Sequence, residues 1–316
     1  MNSLPHDIER IVFEAAARGD PGASVQLATV ARRVQGWIEP MLYETVTLQD
    51  SRHLKLFTRT FLYDSDPEKY STKPPGFVVK SMKDFSLLFT PIQEQDRLAV
   101  ISILQSCGDL ASLAYWPDSN YTSSRYWELD AHCQSIIGPT IRGDLRPRRI
   151  SGSLCKLTGM RVPILTISLF ANVTHLDVKD PWSTWGRFPF HNIPSLRYLA
   201  LENLDFTRLI ARGASAVVAR ILEKCPQLVV CVILCRERSE LLGYINETYD
   251  GHVDGYAAWG FIDPRIAALP APSYHQAYCL HIPEGEAEMW RRAEEVLKAR
   301  RLASTRAASI SNWQSL

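Results

Sequence analysis

The side chains able to do chemistry are scattered and do not form any ligand or catalytic spacing. Cys225, Cys231 and Cys235 stand six and four residues apart, without the paired C-x-x-C geometry that gathers thiolates around zinc. Core packing is the stronger reading of all three. His132 and Cys133 are adjacent, so their side chains cannot simply face each other along a regular strand or helix. A thiol nucleophile there would need a distant base that the sequence does not identify. Asp177, Asp180 and Asp205 do not make the spaced oxygen donors of a calcium loop. No G-x-x-x-x-G-K-[ST] occurs, and no G-x-G-x-x-G opens a helix. The expectation is a chain with no catalytic residues, no metal and no cofactor. Tyr115, Trp116, Trp182, Trp185 and Phe188 suit either an aromatic binding surface or the core, and core is expected for at least half of them.

Composition points the same way. The 316 residues are 46% hydrophobic, enough for a sizeable core in one large or two smaller domains. Thirty-five Lys and Arg against 34 Asp and Glu leave a net charge of +1, so the chain as a whole has no electrostatic bias toward nucleic acid or an anionic membrane. The longest apolar run, Leu228 to Cys235, is far short of the ~20 residues that span a bilayer. Asp7 and Glu9 stand where a secretory signal carries basic residues. The seven cysteines, odd in number, read as reduced thiols of a cytoplasmic or nuclear protein. The partner is then a protein met by shape and apolar contact, with no nucleic acid and no membrane.

The elements that would present such a contact begin at the N-terminus. Pro5 suits a first helical turn, where its missing N–H has no intrahelical partner. Ile8, Ile11, Val12, Ala15 and Ala16 recur at spacings of three and four, and "RGDPG" (Arg18 to Gly22) stops the helix. Two further short helices are expected before Tyr43. So small a unit buries little surface alone and needs something to pack against, either the rest of its own chain or a partner.

The stretch "LPHDIERIVFEAA…SVQLATVARRVQGWIEPMLYETVTL", Leu4 to Leu48, resembles an F-box, in particular the F-box-like N-terminus common in proteins of mushroom-forming fungi. It departs from many F-boxes in carrying Val34, not Trp, directly after Arg32-Arg33. The resemblance implies that these helices dock on the Skp-type adaptor of a cullin-RING ubiquitin ligase. The adaptor contacts it implies are Leu4, Pro5, Ile8, Leu27, Val30 and Val34. "THLDVKDPWSTW", "FIDPR" and "EMWRRAEEVLKARR" are similar to later features of the same family.

Beyond the turn-rich "DSDPEKYSTKPPG" (Asp64 to Gly76) the chain repeats itself. I-L-x-x-C-x-x-L occurs at Ile103 to Leu110 and at Ile221 to Leu228, each time as a helical segment ending near Cys before a strand-like run. "VTHLDV" and "LRYLAL" share one pattern 23 residues apart, within the ~20 to 29 residue period of leucine-rich repeats. In such arrays alternating strand residues enter one core and neighbouring units cover each other. The final segment sets Trp290, Ala293 and Leu297 on one face of a docking helix.

The fold expected is therefore α+β or α/β. An F-box-like helical module (1–48) and a connecting segment (49–76) precede an irregular leucine-rich-repeat-like array of short parallel strands and helices (77–283), followed by a C-terminal helix and polar tail (284–316). The function expected is non-enzymatic substrate recognition for a ubiquitin ligase, the client protein and its contact residues being unknown. Two rivals remain: an interaction protein whose N-terminal helices only cap its own core, and a divergent hydrolase. Exposure of Leu4, Pro5, Ile8 and Val30 separates the first rival from the adaptor reading, and a deep pocket with a convergent His and acid would favour the second.

Overall fold

In the computed structural model, residues 4–65, 76–116, 145–158, 168–202, 208–235, 263–271 and 282–314 are described. His132, Cys133, Asp205, Cys279 and most of the turn-rich segment lie outside them. Eight short strands form one parallel sheet in strictly sequential order: β1 (Thr45–Leu48), β2 (Asp84–Leu87), β3 (Ser112–Tyr115), β4 (Arg149–Gly152), β5 (His175–Val178), β6 (Tyr198–Glu202), β7 (Val230–Cys235) and β8 (Ile266–Pro270). The chain is mixed α/β.

Side-chain alternation gives the sheet two unlike faces. Val46, Phe85, Leu113, Ile150, Leu176, Leu199, Ile233 and Ile266 belong to one continuous core beneath the connecting helices. Those helices include α4 (Ser51–Ser65), α5 (Phe77–Ser81), α6 (Glu94–Ser106), α7 (Leu154–Thr158), α8 (Trp182–Trp185) and α9 (Arg208–Lys224). The opposite face carries Ser86, Ala114, Ser151, Asp177 and Ala200 over most strands and Val232, Leu234, Ala267 and Leu269 at the end. That apolar end is covered by α10 (Ile282–Gln314), through Met289, Trp290, Ala293 and Leu297, whose cluster extends to Ala200 of β6.

The sequence echoes correspond to real structural equivalence. In both I-L-x-x-C-x-x-L copies a helix stops at Cys107 or Cys225 and a strand begins at Ser112 or Val230. Leu110 and Leu228 are both 2% exposed, and each cysteine is 1% exposed. The 23-residue spacing is the β5–β6 register, which pairs His175 with Tyr198 and Leu176 with Leu199. Elsewhere the offset differs, as in Thr45 with Asp84. Gly152 shows how close the backbones come: its φ is 135°, and an added Cβ would lie 1.8 Å from the Tyr115 carbonyl oxygen.

Several expected boundaries move. The helical module ends before residue 48, because Thr45–Leu48 alternates and pairs with β2 as the first strand. The segment expected to be a connector contains α4, anchored by Leu54 at 0% exposure and Phe61 at 4%. The final helix begins at Ile282 and takes in most of the predicted polar tail.

Candidate functional site

Three helices make the N-terminal unit: α1 (His6–Gly19), α2 (Pro21–Leu27) and α3 (Arg32–Leu42). Pro5 stands just outside α1, and its carbonyl accepts the Glu9 N–H at 3.0 Å. Asp20 caps α2 by accepting from the Gly22 N–H at 2.8 Å. Ser24 Oγ donates to the Ala17 carbonyl at 2.7 Å, tying α2 to α1.

The unit has its own small core, Ala17, Val34 and Ile38, with Phe13, Leu27, Trp37 and Met41 packed against it. Phe13 and Ala17 are therefore the inward side of α1. The repeating apolar side found in the sequence faces outward: Leu4 is 64% exposed, Ile11 61%, Val12 55% and Ile8 42%. Val25 and Val30 on the neighbouring segments are also exposed. A groove of about 370 Å³ runs between Leu4, His6, Glu9, Val12, Phe13 and Arg33. Arg33 reaches Glu9 at 2.5 Å and fixes α3 against α1 beside it.

The six expected contact residues separate on this geometry. Leu4, Pro5, Ile8 and Val30 are exposed and Leu27 is half-buried. Val34, at 1% exposure, is withdrawn from the contact set: its side chain holds α3 to α1 and has no surface left to offer. Ile11 and Val12, outside the expected contact set, are exposed on the same side. The signal that could have found them is their place in the same helical repeat as Ile8.

A second cluster lies on the sheet face opposite the helices. Trp116 Nε1 donates to Ser151 Oγ at 2.8 Å, and that hydroxyl donates to Asp177 Oδ2 at 2.8 Å. Lys179 Nζ stands 3.1 Å from the same oxygen, pairs with Glu202, and lies 4.5 Å above the Trp116 ring. Burial works to lower the lysine pKa, but the carboxylates of Asp177 and Glu202 outweigh it and raise it. Burial raises that of Asp177, with Lys179 opposing. Asp177 Oδ1 is buried without a hydrogen-bond partner.

Other polar and thiol side chains among the described residues serve the packing of the fold. Asp180 accepts from the Leu154 N–H at 2.6 Å and from Ser153 Oγ at 2.8 Å, holding the start of α7. Burial pushes the Cys107 thiol up to about 11 and that of Cys231 up to about 12, so neither is a ready nucleophile. Tyr115, Trp116 and Trp185 are buried, while Trp182 and Phe188 pack partly exposed against the core. Among the described residues no group of His, Cys, Asp or Glu is placed to hold a metal, and no helix is long and apolar enough to cross a membrane. No family model, curated protein or solved structure matches the chain.

Proposed function

We propose that the chain is a substrate-recognition subunit of a Skp/cullin-RING ubiquitin ligase, itself non-enzymatic, whose N-terminal helices hold a Skp-type adaptor. Its parallel array, read as leucine-rich-repeat-like, carries the client protein. One observation supports the adaptor half above all: the apolar side of α1 faces outward while the unit's own core is complete without it. An N-terminal cap serving only this chain would turn that side inward. Contiguous exposed apolar surface of this kind marks interaction sites.

The test uses the full chain with Ile8→Asp and Val30→Asp. Val30 is 63% exposed and Ile8 42%, so substitution should change folding stability by within about 0.5 kcal/mol at the more exposed site. In a desolvated contact each unpaired carboxylate costs about 2 kcal/mol or more, a loss of roughly thirtyfold in affinity. The parent should co-purify with a Skp-type adaptor and the double variant should not, with an unchanged melting profile. Equal adaptor recovery from both would remove the adaptor role; collapse of the whole fold would return these helices to the cap reading.

A further inference from the structure

A pocket of about 170 Å³ lies between the segment following α8 and the last two turns of α9. Arg187 and His191 enter it from the first, Arg220 and Lys224 from the second, and Phe188 and Val217 form its apolar floor. All four basic side chains are exposed, and among the described residues no carboxylate lines the pocket. Arg220 Nε donates to the Ala216 carbonyl of its own helix at 3.4 Å, and among the described residues none of the four forms an ion pair.

That arrangement has a cost the fold does not require. Arg220 and Lys224 are one helical turn apart, where like charges repel. The helix dipole accounts for a cation at Lys224, in the last turn of α9. It does not account for Arg187 and His191, which arrive from a separate segment and converge on the same opening.

We infer that this pocket binds an acidic peptide segment of the client, with an apolar side chain against Phe188 and Val217 and flanking Asp or Glu carboxylates against Arg187, Arg220 and Lys224. The apolar side chains of Phe188 and Val217 among the basic ones favour a peptide over a nucleic-acid backbone. The inference rests on the reading of the array as the client-binding half and names the chemistry of what it takes.

The experiment is fluorescence anisotropy on the full chain with a labelled peptide of about 12 residues carrying Leu flanked by Glu, beside versions with Gln for Glu and Ala for Leu. The Glu–Leu peptide should bind, both replacements should weaken binding about tenfold, and raising salt from about 50 to about 300 mM should weaken it further. Arg220→Glu with Lys224→Glu should abolish binding while the melting profile holds. Should that pair disturb α9, Arg187→Gln, in an exposed segment, should still weaken binding several-fold. Equal binding of the Gln peptide, insensitivity to the substitutions, or tighter binding of a single-stranded RNA of similar length would overturn the inference. Adaptor co-purification, measured in the same preparations, reports on the receptor reading separately, because none of these residues lies in the N-terminal unit.

Discussion

The docking of α10 is tested by two substitutions that both shrink a buried side chain yet should differ in cost. Leu297 is 3% exposed and Trp290 6%, and both pack with Val232, Leu234, Ala267 and Leu269. Leu297→Ala removes buried methylenes and leaves a cavity, a loss of about 2–5 kcal/mol. Trp290→Phe differs, because the indole Nε1 is buried without a hydrogen-bond partner, a penalty of about 1–3 kcal/mol that the change relieves. Against that stand about 1 kcal/mol for some 40 Å³ of lost volume at ~24 cal/mol per Å³ and about 1 kcal/mol of transfer free energy. The ring keeps its edge contacts with His175 and Tyr198, centroids 5.5 Å away in each case. Net, Trp290→Phe should fall within about 1 kcal/mol of the parent. Equilibrium urea unfolding of the full chain measures both. If Trp290→Phe costs as much as Leu297→Ala, the unpaired N–H carries no penalty and the account of this contact is wrong.

Gly152→Ala should destabilise by at least about 2–3 kcal/mol, since its φ is 135° and the new methyl would overlap the Tyr115 carbonyl; a melt matching the parent would refute the close approach of β3 and β4. Acid should also weaken the fold. Burial, then the Arg149 charge, lowers His175 to about 4 against the opposing pull of Glu294. A depressed folded-state pKa contributes stability that is present above the ordinary value near 6.5 and is lost as pH falls from there through about 4. His175→Gln should flatten that part of a stability-against-pH curve, and an unchanged slope would exclude the histidine as its source. The thiols of Cys107 and Cys231, buried and shifted upward, should label with a thiol reagent only as the chain unfolds. Fast labelling of either under native conditions would show its strand or turn opening locally.

What was legible in the sequence was local. The I-L-x-x-C-x-x-L pair revealed a helix-to-strand unit because its pattern spans one turn whose cysteine and leucine are both buried in each copy. The β5–β6 offset was equally readable, since both strands carry the same alternation 23 residues apart. The remaining offsets vary, so the other strands could not be aligned by eye. The apolar side of α1 was legible as one face, but its direction was left open between its own chain and a partner, because periodicity reports which residues share a face and nothing about where the face points. The Trp116–Ser151–Asp177–Lys179–Glu202 cluster was invisible for a different reason. Its members come from four different strands or the residues just after them, and only the sheet register makes them neighbours. The basic pocket shares that cause, being assembled from two segments about 30 residues apart.

The changing composition of the sheet's second face also explains why α10 lies where it does. Met289, Trp290, Ala293 and Leu297 need apolar surface, and β7 and β8 offer most of it in Val232, Leu234, Ala267 and Leu269, with Ala200 of β6 completing the cluster. One strand earlier the face already carries Glu202, and beyond it Asp177 and Ser151, committed to Lys179 and Trp116. Sliding the helix toward β5 would set its apolar side over that charged cluster and bury groups whose partners it cannot supply. Tyr198 marks the crossover, its ring against Trp290 and its hydroxyl donating to Glu294 at 2.8 Å. On the other side Arg300 donates to the Ile266 carbonyl at 2.6 Å, at the start of β8. The polar cluster and these two hydrogen bonds therefore fix the helix laterally, while apolar burial supplies the attraction. The terminal strands are covered, and the polar face of the earlier strands is left outside the helix's reach.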